Sequence, residues 1–389
     1  MSLKYHLLLL FLISTLQKEN SFSTSQSTMP TTTSDNEKEL LNDPLLKLIS
    51  YSESIVEAKM GIELRQITSL LIGTPFQEIK VKLSTSICGL WVVNHEAFGH
   101  GYKYTDSDSF TDFGYPGKVD YTKGEMCSEI IQYANLITEK KVPFLLVNET
   151  TIPGKIDVEL DGLLGFGYKC RSQSKGNINL IQMLIDNKSQ KYTDMFVFFF
   201  DSKLNGGMFT VGTIPDNMNV FNKKYWDVDV DQNNNNGHWQ IKLYSMYFDD
   251  DYLVTINKPI SIGIGGCMFS VTKEIFDMIY NRYFTEYVKR GECQLVKEVV
   301  WEIYCDEKLD VSKFTKLSLV FGKWNWKLYP SKLFRTLTKN GKNKQLFTVV
   351  YYPEYNQFYL SQLMFEGKTG VIYDRAENML SFYIEDSSN

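Results

Sequence analysis

The sequence predicts an all-β protein built as two lobes, with a few short helices, and three observations carry that expectation. Segments such as "IKVKL", "MFTVG", "WDVDVD", "HWQIKLYSMYF" and "FTKLSLVF" are rich in β-branched residues and alternate apolar with polar ones, the period of a half-buried strand. Gly, Asn and Asp punctuate them as turns, and 14 % of all residues are aromatic, 24 Tyr and 25 Phe among them, which suits pleated surfaces. At 389 residues the chain exceeds one ordinary core. A seam near Asn222–Trp226 divides two blocks of strands of similar length.

Taken in order, residues 1–20 read "MSLKYHLLLLFLISTLQKEN", with Lys4 ahead of an apolar run from Leu7 to Leu16. That run suits a secretory signal peptide and is too short to span a bilayer. A protein that is secreted, or held within the secretory or endolysosomal pathway, is expected. Residues 21–60 begin with the Ser/Thr-rich linker "SFSTSQSTMPTTTSDN". The following "KELLNDPLLKLISYSESIVEAKM" predicts one or two short amphipathic helices, with strands starting near Gly61. Residues 61–222 then make a first β lobe and 223–389 a second. Helical spacing is otherwise convincing only in "INLIQMLIDNK" and "TKEIFDMIYNRYFTEYVKR".

The net charge is −5 with no concentrated basic block, which excludes the electrostatic footprint of a nucleic-acid binder. No later stretch is apolar for long enough to span a membrane, so a soluble mature chain, monomeric and without a membrane partner, is expected. Six cysteines, Cys88, Cys127, Cys170, Cys267, Cys293 and Cys305, permit three disulfides in an oxidising compartment. Only Cys293 and Cys305 are close enough in sequence to be paired as candidates. The triplets "NET" at Asn148 and "NKS" at Asn187 are candidate glycosylation sites.

From Gly61 to Tyr383 a series of motifs, in order, resembles the pepsin-like aspartic peptidases. "IGTPFQ" is similar to the opening hairpin, and "LWV" at Leu90 to Val92 follows at the family's distance. "DYTKGEM" at Asp120 to Met126 resembles the flap hairpin, with Tyr121 at the flap tyrosine. "LDGLLGFG" resembles the element that backs the first catalytic loop. "GGMFTVGTIP" and "HWQIKL" resemble strands at the lobe junction, and "GVIYDRAENMLSFY" the C-terminal strands. The resemblance implies a two-lobed acid protease fold with a pseudo-two-fold axis and a central peptide-binding cleft. Each lobe would present a D-T-G-S/T loop there. Two carboxylates about 3 Å apart would share one proton and activate a water against the scissile carbonyl.

Aligned on these motifs, neither loop carries its acid. The first reads Ser84-Thr85-Ser86-Ile87 and the second Gly263-Ile264-Gly265-Gly266, so Ser84 and Gly263 stand at the two aspartate positions. Ile87 and Gly266 replace the orienting hydroxyls, and Ile264 leaves Thr85 without its symmetric lobe-tying partner. Ser361 and Gln362 stand where Gly-Asp is usual, and the nearest downstream acids, Glu96 and Glu274, fall beyond the loops. No catalytic residue is therefore assigned. The cleft candidates are Ser84, Thr85, Ser86, Trp91, Tyr121, Gly124, Gly263 and Gly265.

Other chemistry finds little support. Cys88 and Cys267 occupy equivalent loop positions and read as small buried groups. A cysteine nucleophile would need a base, and His95, His100 and His238 lie in segments away from the expected cleft floor. "HEAFGH" spaces its histidines one residue too far apart for a zinc helix. "DVDVDQNNNNGH" has Gln232 and His238 where a calcium loop needs Gly and Glu. No metal and no cofactor are expected. Residues 38 to 65 are not markedly basic, so no acid-triggered self-cleavage is expected either. The expectation is a secreted pseudopeptidase that binds a peptide or protein ligand between its lobes. Its alternatives are an active aspartic-type endopeptidase with a non-standard site and a structural or surface protein with a vestigial cleft.

Overall fold

The computed structural model describes residues 46–52 and 65–384, except 87, 120–121, 134–135, 139, 151–159, 170–192, 202–205, 213–224, 233–236, 249–251, 265–267, 298–299, 340–341, 354–355, 362–363 and 365–367. The described strands of the first half are β1 (Leu46–Ser52), β2 (Arg65–Ile72), β3 (Gln77–Ser84), β4 (Cys88–Val93), β5 (Thr111–Val119), β6 (Thr122–Glu129), β7 (Ile131–Tyr133), β8 (Leu136–Ile137), β9 (Val142–Thr150), β10 (Gly162–Phe166), β11 (Met195–Asp201) and β12 (Gly206–Val211). Those of the second half are β13 (Tyr225–Asp229), β14 (Gln240–Phe248), β15 (Tyr252–Gly263), β16 (Phe269–Ser270), β17 (Cys293–Lys297), β18 (Trp301–Asp306), β19 (Leu317–Phe321), β20 (Trp324–Leu328), β21 (Phe334–Lys339), β22 (Lys342–Tyr351), β23 (Phe358–Ser361), β24 (Lys368–Asp374) and β25 (Met379–Ile384). The expected all-β architecture is observed.

The strands form two sheets. One runs β13-β25-β24-β11-β12-β1-β2-β3-β10-β4-β9-β6-β5, and the other β17-β18-β22-β16-β23-β15-β14-β19-β20. Each contains the same three-strand arrangement. In the first lobe β10 lies between β3, to which it is parallel, and antiparallel β4, with Gly165 opposite both Ser84 and Gly89. In the second, β23 lies between parallel β15 and antiparallel β16, with Ser361 opposite Gly263. The internal symmetry is therefore written in backbone pairing.

The local sequence explains the first arrangement. Val81, Leu83, Leu90, Val92, Leu164 and Phe166 face the main core, while Trp91, Val93 and Leu163 join Met126, Leu145 and Val147 in a second apolar cluster on the other face. Strands covered on both faces read as continuous apolar runs, as "LWVV" and "GLLGF" do, rather than as strict alternation.

Two results differ from the sequence reading. Residues 46–52, expected within a helical stretch, form β1, which bonds antiparallel to β12 and β2. The spacing of leucines was compatible with either element, and a ladder on both sides satisfies backbone groups that a short isolated helix would leave open at its ends. Beyond the seam, β13, β24 and β25 belong to the same sheet as β11 and β12, so the C-terminal strands return to the first half of the chain. The 1–20 signal, the Ser/Thr linker and "INLIQMLIDNK" lie outside the described residues. "TKEIFDMIYNRYFTEYVKR" is helical as expected: α2 (Lys273–Ile279) continues through one π turn at Tyr280–Phe284 into α3 (Thr285–Lys289), with Ile275, Phe276, Ile279 and Phe284 buried. Ahead of it stands the single-turn α1 (His95–Phe98), and after it α4 (Pro330–Leu333).

Side chains lock the returning strands in place. Arg375, between β24 and β25, donates to the Gly167 carbonyl (2.8 Å), the Tyr168 carbonyl (3.2 Å) and Asp194 Oδ1 (2.9 Å). Trp239 is fully buried and donates its Nε1 proton to the Phe166 carbonyl at 2.8 Å. The Tyr373 ring stacks on Phe196 at 4.5 Å and meets Trp239 edge-on at 5.2 Å. Ring pairs of this geometry add about 0.5–1.5 kcal/mol beyond the area they bury.

Candidate functional site

The site is where the ends of β3 and β15 meet. Ser84 closes β3 and is 4 % exposed; Thr85 follows at 1 %. The Thr85 hydroxyl accepts the Ile264 backbone N–H at 3.2 Å, a direct bond between the two lobes. Half of a symmetric clasp thus survives: Thr85, expected to lack a partner side chain, is satisfied by backbone instead. Ser84 Oγ accepts the Ser86 N–H at 3.2 Å, so its hydroxyl turns back onto its own loop. Ser86 is half-buried.

The second loop is built differently. Gly263 closes β15, and a methyl group placed on its Cα would lie 2.8 Å from Cε2 and 2.9 Å from Cζ of Tyr359, and closer still to the hydroxyl. Tyr359 comes from β23, opposite Ser261 and two residues before Ser361, so parallel pairing lays its ring diagonally across the end of β15. The ring occupies the space a side chain at position 263 would need. Ser361 itself is fully buried. Gly265, Gly266, Cys267 and Ile87 lie outside the described residues.

Above the first loop, β5 and β6 form a hairpin paired from Thr111↔Ser128 to Val119↔Thr122. Tyr121 lies outside the described residues. Among the described residues Tyr115, on β5, packs against the Trp91 cluster, and the register of the hairpin is irregular between Asp112 and Pro116. Trp91 is 5 % exposed and anchors that cluster. Gly124, taken from the sequence as a cleft residue, has a packing reason to be glycine, since any Cβ there would collide with the Leu146 carbonyl of β9.

The hairpin base rests on a buried acid. Glu129 is fully buried; its Oε2 accepts from Tyr102 Oη at 2.6 Å and Ser107 Oγ at 2.8 Å, and its Oε1 from the Ile130 N–H at 2.8 Å. Burial and that carboxylate hold the Tyr102 phenol well above its usual range. With its bonds committed, Glu129 anchors the hairpin. Glu302, the other glutamate buried among the described residues, accepts from Tyr304 Oη at 2.6 Å on β18.

The sulfur and sugar candidates resolve in part. Cys293 and Cys305 form a disulfide across the β17–β18 pair. Cys88 is also disulfide-bonded, which corrects its reading as a small buried thiol; its partner lies outside the described residues. A strand end beside a loop turn leaves room for a cross-link that sequence symmetry with Cys267 did not favour. Cys127 is a buried free thiol, pushed up to about 12 by burial first and by Asp112 and Glu125 next. Asn148 sits half-buried on β9, its Oδ1 accepting from Asn94 Nδ2 at 2.6 Å, beside a groove of about 400 Å³ lined by Asp112, Tyr115, Lys123, Glu125 and Glu149. Asn187 lies outside the described residues. His95 opens α1, His100 Nδ1 is 3.3 Å from Asp161 Oδ1, and His238 is buried. Among the described residues no group of three or more His, Cys, Asp or Glu is arranged to hold a metal ion, and no helix is long and apolar enough to cross a membrane.

Two β lobes, a repeated parallel–antiparallel triplet and two loops tied by a threonine define the pepsin-like class of fold. The family model of eukaryotic aspartyl proteases matches residues 66–383, most of the chain, and the chain belongs to that family.

Sequence reasoning missed Tyr359 and Tyr115. Tyr359 is one aromatic residue among many in a strand, and only the β15–β23 pairing brings it to position 263. Tyr115 has a visible signal in retrospect, the "YPG" that precedes the hairpin turn, but its register depends on a bulge.

Proposed function

We propose that this chain is a secreted, non-catalytic member of its family that holds a peptide or protein ligand at the junction of its lobes. The observation that carries the reading is the second loop: Gly263 offers no carboxylate, and the ring and hydroxyl of Tyr359 fill the space one would take. At the first loop Ser84 offers a hydroxyl whose lone pair already accepts the Ser86 N–H. Shared-proton chemistry needs two carboxyl groups about 3 Å apart, and a serine facing a glycine provides none. General acid–base work needs a group of suitable pKa in place.

Ligand binding is supported by what is kept. The Thr85–Ile264 bond holds the two loops together, and the Trp91 cluster keeps the hairpin packed beside the first of them. The test is incubation of the pure mature protein with a broad synthetic peptide library between about pH 3 and 7, the range in which carboxylate pairs titrate. Products are read by mass spectrometry and retained peptides by affinity capture. Retention without cleavage is the expected result; cleavage blocked by transition-state inhibitors of aspartic peptidases would overturn it.

A further inference from the structure

Asn148 carries a nitrogen that the reading above does not use. On β9 it falls between Val147, paired with Gly124, and Glu149, paired with Lys123, so it is the extra residue of a β-bulge and has no partner on β6. Its carboxamide is oriented from one side. Asn94 is buried and caps α1 by accepting the Glu96 N–H on Oδ1 at 3.0 Å, which leaves its Nδ2 to donate to Asn148 Oδ1 at 2.6 Å. With Oδ1 held by that donor, the Asn148 Nδ2 points the other way. The half-buried residue thus has its acceptor bonded inside the protein while its amide nitrogen remains beside the groove it lines.

That groove has a volume of about 400 Å³, within the range of roughly 300–1,000 Å³ typical of pockets for small molecules. Its walls suit a sugar. Tyr115 lines one of them, its ring braced by Phe113 stacked at 5.8 Å, and an aromatic surface of this kind receives the C–H face of a pyranose. Asp112, Glu125 and Glu149 offer acceptors to sugar hydroxyls, and charge-assisted hydrogen bonds are about twice as strong as neutral ones. Lys123 pairs with Glu149 at 3.0 Å and joins the hairpin to β9 beside the bulge. The sequence supplies the remaining requirement. Asn148-Glu149-Thr150 is an acceptor triplet for N-linked glycosylation, with no proline at its middle position.

We infer that Asn148 carries an N-linked glycan whose first sugar lies in this groove and ties β9 to the β5–β6 hairpin. This rests on the secretory part of the reading above and adds a modification and its seat. In the transfer, Asn148 Nδ2 attacks the anomeric carbon of an isoprenoid-diphosphate-linked oligosaccharide. The C–N bond forms, the sugar C–O bond to phosphate breaks, the amide gives up one proton and the isoprenoid diphosphate leaves. Oδ1 is untouched, so the bond from Asn94 survives. The test secretes the full chain from cultured eukaryotic cells and reads its glycopeptides by mass spectrometry. Asn148 is expected to be occupied, and Thr150→Ala, which keeps Asn148, to lose that glycan. The seat is read by hydrogen exchange across Thr111–Glu129. Wild type, and wild type trimmed by an endoglycosidase to the first sugar, are expected to exchange there about threefold or more slowly than Thr150→Ala, with the distant β17–β18 pair unchanged, as for a local opening. Removing the whole glycan from the folded wild type is expected to reproduce the faster exchange, which separates the sugar from any effect of the substitution on folding. A secreted protein with Asn148 bare, or an occupied Asn148 whose glycan leaves hairpin exchange unaltered, overturns the inference and leaves secretion standing. A chain retained in the cytosol with residues 1–20 uncut overturns the secretory reading and this one with it.

Discussion

Ser84 closes β3 and Gly263 closes β15, and the surroundings of the two residues differ. Behind Ser84 stands Gly165, and the serine hydroxyl folds onto its own backbone, leaving the neighbourhood of β3 and β10 undisturbed. Behind Gly263 stands Ser361, and the space in front of it is taken by Tyr359. A serine at a strand end can satisfy its own loop, whereas a glycine leaves a volume that a neighbour fills, because interiors pack to crystal-like density. The two lobes are symmetric in backbone and asymmetric in occupancy.

The sharpest way to break this comparison is to introduce acids at both positions. Ser84→Asp with Gly263→Asp is expected to remain inactive because Tyr359 stands in the second position. Adding Tyr359→Ile is expected to raise peptide cleavage at pH 3–5 by ~10²-fold or more over the double variant, the scale of a single general acid–base contribution. Equal rates from the two variants, by mass spectrometry of digests, would show that Tyr359 does not obstruct. Next in size is the bond between the loops. Thr85→Val keeps the shape but leaves the Ile264 N–H without its acceptor, and a loss of ~1–3 kcal/mol in denaturant unfolding is expected, against much less for Thr85→Ser.

Smaller effects separate the loops themselves. Gly263→Ala should cost ~1–2 kcal/mol by pressing on the Tyr359 ring, and the cost should vanish in a Tyr359→Ala background, where a double-mutant cycle reports the coupling. Ser84→Ala should cost ~0.5–1.5 kcal/mol, since only one neutral hydrogen bond is lost. Equal costs with no coupling to Tyr359 would erase the asymmetry. The smallest effect at neutral pH concerns sulfur. Cys127 is a thiol whose folded pKa lies above its unfolded value, so it favours the folded state at pH below about 9 and that contribution is lost as pH rises toward about 12. Unfolding midpoints of wild type and Cys127→Ala should therefore converge with rising pH. Slow alkylation of the native protein at pH 8, set against fast alkylation in urea, checks the same burial.

Much of this architecture was legible. The period-2 runs located strands, and "LWV" and "LDGLLGFG" read as apolar runs because neighbours cover both of their faces. The Cys293–Cys305 pair was visible from spacing alone. What sequence did not disclose depends on contacts between distant segments. Leu46–Ser52 became a strand because β12 and β2 border it. Tyr359 reaches Gly263 only through parallel pairing. Tyr115 meets the Trp91 cluster across an irregularity in register that no sequence pattern records.

The return of β24 and β25 to β11 has a consequence for the order in which the protein can be made. The first half of the chain leaves the ribosome with β11 lacking the neighbour it will bond from Met195↔Asp374 to Asp201↔Lys368. That strand edge waits, open, until Lys368–Asp374 is synthesised, and Arg375 cannot clasp Gly167 and Asp194 before then. Long waits with unpaired edges favour wrong partners. Chains stopped before Lys368 are thus expected to aggregate or to be cleaved in the first half by proteases that spare the full chain. Birth order, on this view, makes β24 and Arg375 the latch that closes the first sheet.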